Sequence, residues 1–167
     1  RRLLEEPTVY LSSAVAGFLR EGNEQGVSLD VAKQVGIYPL EYALEPCEIG
    51  VELVDGATID VGDLTLQVLD TPGHSDGHVS LVLDHGGRRS LFAGDVIFFG
   101  GKILLQNIYD CRLDAQVRSL RKLRDLGVDA LLPGHLTLSL KDGQRHIERA
   151  NEALDRLLVP EQIVSAW

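Results

Sequence analysis

Leu69-Asp70-Thr71-Pro72-Gly73-His74-Ser75-Asp76-Gly77-His78 reads as an apolar strand that stops at a Pro-Gly pair and presents a histidine. Pro72 fixes φ and Gly73 permits a turn that other residues resist, so His74 is held at a strand end, where functional groups are commonly displayed. Two later stretches repeat the arrangement. Ser90-Leu91-Phe92-Ala93-Gly94 runs into Asp95, and Ala130-Leu131-Leu132-Pro133-Gly134 runs into His135. Taken singly, His74 and His135 read equally well as turn residues, and Asp95 as a helix cap. As a set, three apolar runs each ending in Gly and then His, Asp or His suit a Zn-like or Fe-like ion better than turn chemistry. The three are read as one site.

Thr71-Pro72-Gly73-His74-Ser75-Asp76-Gly77-His78-Val79-Ser80-Leu81, then Phe92-Ala93-Gly94-Asp95, then Pro133-Gly134-His135 resemble, in order, the second, third and fourth metal motifs of the metallo-β-lactamase superfamily. The resemblance runs from about Thr8 to Leu158 and implies an α/β (α+β) protein, an αββα sandwich with a one- or two-metal site between its sheets. It implies that His74 ligates a first metal, Asp95 bridges both and His135 ligates the second. The metals it implies are two divalent ions, zinc first, with iron or manganese as alternatives.

The family's first motif, His-x-His-x-Asp-His, is not in this sequence: the five histidines are His74, His78, His85, His135 and His146. Arg1-Arg2-Leu3-Leu4-Glu5-Glu6-Pro7 reads like the tail of the helix that follows that motif, and the chain contains no Met. Residues 1–167 are therefore expected to be a single, incomplete domain, the C-terminal two-thirds of the fold. With three of the expected ligands, the 167-residue chain alone is expected to bind metal weakly and to hydrolyse nothing. A sheet edge left open by missing strands would favour a homodimer.

The resemblance also narrows the chemistry. Gly94-Asp95-Val96-Ile97-Phe98-Phe99-Gly100-Gly101 resembles the Gly-Asp-x-x-Phe-x-Gly-Gly segment of glyoxalase-type hydrolases. Superfamily lactonases that open acyl-homoserine lactones carry Tyr where Phe98 stands, and the common zinc β-lactamases carry Cys where Asp95 stands. The resulting expectation is a metal-dependent hydrolase of an ester or thioester in a small-molecule substrate, working through a bridging water activated by the metals, with Asp95 as the catalytic residue. A mono-iron oxygenase of the persulfide dioxygenase kind, or a binding or assembly domain that has lost the first motif, are the alternatives. The reading frame upstream of Arg1 separates the last of these from an enzyme.

Composition sets outer limits. At 44% hydrophobic the chain can build one core, while a net charge of −9 disfavours a nucleic-acid partner, whose phosphates reward a basic face. No run approaches the roughly 18 apolar residues of a membrane span. Cys47 and Cys111 are isolated, which suits a reduced, cytoplasmic setting.

Along the chain, Thr8 to Leu11 reads as a short strand, Ser12 or Ser13 as the cap of a helix to about Arg20, and Asp30 to Val35 as a helix closed by Gly36. Tyr38 and Tyr42 cover the core or line the substrate pocket. Val51–Leu53, Thr58–Val61 and Leu64–Leu69 read as strands joined by hairpin turns at Asp55-Gly56 and Gly62-Asp63. Val79–Leu83 and Ser90–Ala93 continue the meander around a turn that leaves His85 in solvent. His78 is expected to support the loop behind His74 rather than bind metal. Val117, Leu120, Leu123 and Leu126 mark an amphipathic helix over Asp114–Leu126, and Ile147, Ala150, Ala153, Leu154 and Leu157 mark another over Lys141–Leu158, with His146 on its polar side.

Overall fold

The structure is a computed structural model and describes residues 8–164; the reading of residues 1–7 as a helix tail lies outside them. The element order is β1 (Tyr10–Ser12), α1 (Ser13–Glu21), α2 (Leu29–Gln34), β2 (Val51–Leu53), β3 (Thr58–Val61), β4 (Leu64–Asp70), β5 (Val79–His85), β6 (Arg88–Gly94), a 3₁₀ turn at Phe99–Gly101, α3 (Leu113–Leu123), β7 (Ala130–Pro133) and α4 (Gln144–Asp155). β3 to β6 form an antiparallel meander in sequence order. β7 then joins β6 in parallel after α3 has crossed back, giving a five-stranded sheet. That crossover is what a parallel pair requires, since no tight turn can join strands running the same way.

β1 and β2 pair in parallel as a separate two-stranded sheet. Asp55-Gly56 is therefore not a hairpin turn, contrary to the sequence reading. β2 leaves toward β1, and the Gly56 N–H instead donates to the Val68 carbonyl of β4. The propensity of Asp-Gly for a tight turn is used, but the strands on either side belong to different sheets. α1 packs on the small sheet, with the Ser12 hydroxyl accepting from the Ala14 N–H as its N-cap.

The main core lies between the large sheet and α3 with α4. Val82, Leu91, Ala93 and Leu131 from the strands meet Leu120, Leu123, Ile147, Ala150 and Leu154 from the helices, with Val117 and Leu126 half-buried at its margin. This is the apolar spacing of the two amphipathic segments, turned inward to remove their side chains from water. α4 ends at Asp155, short of the sequence reading, so Leu157 lies past the helix and is exposed. His146 is also displaced from its expectation. It is buried beneath Phe99, their ring centroids 4.5 Å apart, and its Nδ1 accepts the Gly100 N–H. Close packing of the 3₁₀ turn on α4 draws the ring in. Tyr38 and Tyr42 pack on each other at 5.1 Å between ring centroids and are each 44% exposed. No helix among the described residues is long and apolar enough to cross a membrane.

Candidate metal centre

His74, Asp95 and His135 leave three different strand ends, of β4, β6 and β7, and arrive at one place. The Nε2 of His74 lies 3.5 Å from Oδ2 of Asp95, and the Nε2 of His135 lies 3.4 Å from that same oxygen. Two ligands at about 2.1 Å from a tetrahedral zinc stand about 3.4 Å apart, so both separations are those of donors sharing an ion. His74 and Asp95 are mostly buried, while His135 is largely open to solvent.

The hydrogen bonds say more than the distances. The Nδ1 of His74 lies 3.3 Å from the Leu104 carbonyl, which can only accept, so the ring proton of neutral His74 is on Nδ1. Its Nε2 therefore turns a lone pair toward a carboxylate oxygen. Two acceptors facing each other at that distance call for a cation between them, and an imidazole oriented through its second nitrogen by a carbonyl is how metal-binding histidines are held. The donor set fits a divalent metal. As placed it is incomplete, however: among the described residues no group of three or more His, Cys, Asp or Glu side chains, these three included, stands where it could hold a metal ion by itself.

Glycine at the end of each run has a steric cause. A Cβ on Gly134 would stand 2.5 Å from Oδ1 of Asp95, and the Gly134 N–H donates to the Gly94 carbonyl, so β7 comes hard against the Asp95 turn. Gly94 has φ of 51° and a Cβ there would meet Nε2 of His78 at 2.5 Å. Backbone and ligand approach more closely than any side chain permits.

His78 supports the site from behind, as the sequence suggested, and through a network that the sequence did not reveal. The Asp95 N–H donates to His78 Nε2 at 2.9 Å, which leaves the ring proton on Nδ1, 2.9 Å from Thr71 Oγ1. Thr71 Oγ1 is 2.8 Å from Ser80 Oγ, and Ser80 donates to the Ala93 carbonyl at 3.3 Å. Proton positions are thereby fixed in order, His78 donating to Thr71, Thr71 to Ser80 and Ser80 to Ala93. Thr71 and Ser80 are wholly buried. Burial pushes the His78 pKa down to about 4, helped by neighbouring His74. The signal available in sequence was a Thr and a Ser at inward positions of apolar strands.

Immediately after His135, Leu136 adopts φ of 67° with its side chain 73% exposed. The left-handed conformation costs a branched residue about 1–2 kcal/mol, and little burial offsets it. Leu136→Gly is therefore expected to raise stability by about 0.5–1 kcal/mol after glycine's own entropic cost, read from urea unfolding; a loss of stability would show that Leu136 makes contacts worth more than the strain. A groove of about 440 Å³ between the 3₁₀ turn and α4, lined by Phe99, His146 and Arg149 among others, includes none of the three site residues.

The family model described as metallo-beta-lactamase superfamily matches residues 13–135. The chain is 31% identical over 144 residues to the acyl-coenzyme A thioesterase MBLAC2 of Gallus gallus, covering 80% of this chain and 50% of that protein. It is 45% identical over 53 residues to a hydroxyacylglutathione hydrolase of Hahella chejuensis, covering 32% of this chain and 21% of that one. Among solved structures, a metallo-beta-lactamase family protein from Thermus thermophilus superposes with a TM-score of 0.64 at 27% identity, covering 90% of this chain and 54% of that chain. The chain thus spans half or less of the curated relatives named here. The matched segment contains all three strand ends and the residues they present, and the chain belongs to the metallo-β-lactamase superfamily.

Proposed function

We propose that the protein containing this chain is a metal-dependent thioester hydrolase. The observation that carries this is the convergence of His74 Nε2 and His135 Nε2 on one oxygen of Asp95, in a chain similar to a hydroxyacylglutathione hydrolase and an acyl-coenzyme A thioesterase. Both of those names describe acyl groups carried on sulfur. A small acyl thioester is accordingly the substrate class.

His74, Asp95 and His135 would hold divalent metal, zinc first, with Asp95 shared between the two histidines. Metal bound there supplies a Lewis acid for the thioester carbonyl and lowers the pKa of water from about 16 toward about 7. The chain's own residues prepare that chemistry. The Leu104 carbonyl holds His74 in the tautomer that leaves Nε2 free, and His78 anchors the Asp95 backbone so that the carboxylate is aimed before any ligand arrives. In the reaction water adds to the carbonyl carbon, the carbon–sulfur bond breaks and the departing thiolate takes up a proton.

The test is hydrolysis by the zinc-loaded product of the full reading frame, offered a 2-hydroxyacyl glutathione thioester, a series of acyl-coenzyme A thioesters, the matching oxyesters and a β-lactam. Thioesters are expected to exceed the others in kcat/KM by at least about tenfold. Preferential β-lactam opening, or no thioester turnover by protein that contains stoichiometric metal, would refute the proposal.

A further inference from the structure

Gln116 is on the first turns of α3, has no exposed surface, and touches neither of the histidines nor Asp95 through a hydrogen bond. Burying a primary amide without full satisfaction is costly, and Gln116 bears that cost: its Oε1 has no hydrogen-bond partner. Its Nε2 donates to the carbonyl of Val96, the residue directly after Asp95, at 2.5 Å. On the other side its backbone and Oε1 press against Gly73, the residue directly before His74. A Cβ on Gly73 would stand 2.4 Å from Gln116 Cα and 2.6 Å from Oε1.

The rest of α3 grips the His74 loop and not the Asp95 turn. The Arg112 N–H donates to the Gly73 carbonyl, the Arg112 guanidinium pairs with Asp76, and the Ser119 hydroxyl donates to the Pro72 carbonyl. Gln116 alone among these adds a bond to the Asp95 side. An apolar side chain of the same volume would fill the space equally well, so what the amide adds is direction, a second link to the Asp95 turn besides the Asp95 N–H to His78 bond that already joins it to the His74 loop.

We infer that Gln116 is a positioning residue that sets the separation of His74 from Asp95 by tying the loops that carry them to α3. The inference rests on the reading of His74, Asp95 and His135 as a metal site. Its test therefore begins with a quantity independent of metal and of activity.

The experiment compares metal-free crystal structures and zinc affinities of the wild type, Gln116→Met and Leu120→Val, the last a buried change on the same helix that contacts neither loop's polar groups. Gln116→Met is expected to widen the His74 Nε2 to Asp95 Oδ2 distance by about an ångström or more and to weaken zinc binding about 10–100-fold, the usual cost of losing an outer partner. Leu120→Val is expected to lose stability while keeping both. A Gln116→Met structure that retains the wild-type separation, or an affinity loss no larger than that of Leu120→Val, overturns the inference. Should Gln116→Met fail to fold, Gln116→Glu decides. Its carboxylate cannot donate to Val96 in alkaline crystals but regains a donor when protonated in acidic ones, so the separation should widen in the first and recover in the second. Unchanged geometry in both would overturn the inference. A wild type that takes up no zinc would count against the metal site, and the metal-free distances would still report on Gln116.

Discussion

In a chelator-containing buffer, acidification from pH 6.5 to about 4 is expected to cost the folded chain on the order of 3 kcal/mol through His78 alone. In the unfolded chain His78 takes up its proton near 6.5; in the fold it does so only near 4. Between those values the unfolded state binds more protons, so stability is complete above 6.5 and drains as pH falls. The structural cause is specific. Protonation would put a hydrogen on Nε2, which already accepts the Asp95 N–H, so that bond would be lost while Nδ1 went on donating to Thr71. His78→Gln offers an acceptor and a donor but no titration. Unfolding curves of the two proteins are expected to diverge across this range, the variant losing less stability than the wild type as the pH falls. Parallel curves would show that His78 is not the group, since the carboxylates that also lose partners in acid, such as Asp55 and Asp84, are common to both.

Asp95→Ala is expected to abolish zinc binding. Oδ2 of Asp95 is the atom that both imidazoles approach, and without it each histidine is left with no partner ligand. The loss should exceed the roughly 10–100-fold penalty of an outer-shell change, as read by competition with a chromophoric chelator. Because the substitution removes a polar group and leaves the backbone N–H bond to His78 in place, folding should survive it. An affinity within a few-fold of wild type would place any bound ion elsewhere.

The sequence disclosed the site better than its support. A glycine before each of His74, Asp95 and His135 was visible because close approach of backbone to backbone leaves no room for a Cβ, and such steric demands are written locally. The strands that carry them, Leu64–Asp70, Arg88–Gly94 and Ala130–Pro133, were legible as apolar runs stopped by turn residues, and Val51–Leu53 and Thr58–Val61 were legible in the same way. What Asp55-Gly56 could not disclose was the partner of each strand. A turn sequence specifies local geometry, whereas the pairing of β2 with β1, and not with β3, depends on residues some forty positions away. His146 failed for a related reason. Its neighbours Gln144, Arg145, Glu148 and Arg149 on α4 are polar as a solvent-facing residue's would be, and only the 3₁₀ turn folding over it, through Phe99 and Gly100, takes it out of water. The Thr71–Ser80 network and Gln116 were hidden because a buried polar residue looks like an exposed one until its partners are known.

The most direct test of the metal centre is a titration of the nitrogen-15 labelled chain with zinc, following the ring nitrogens of all five histidines. Nε2 of His74 and Nε2 of His135 are expected to shift together at one ion concentration, with Nδ1 of His74 retaining its proton toward Leu104 and the His78 resonances keeping the tautomer that accepts from Asp95. Independent titration of the two rings, or shifts confined to His85 or His146, would contradict the assignment of His74, Asp95 and His135 to a single site.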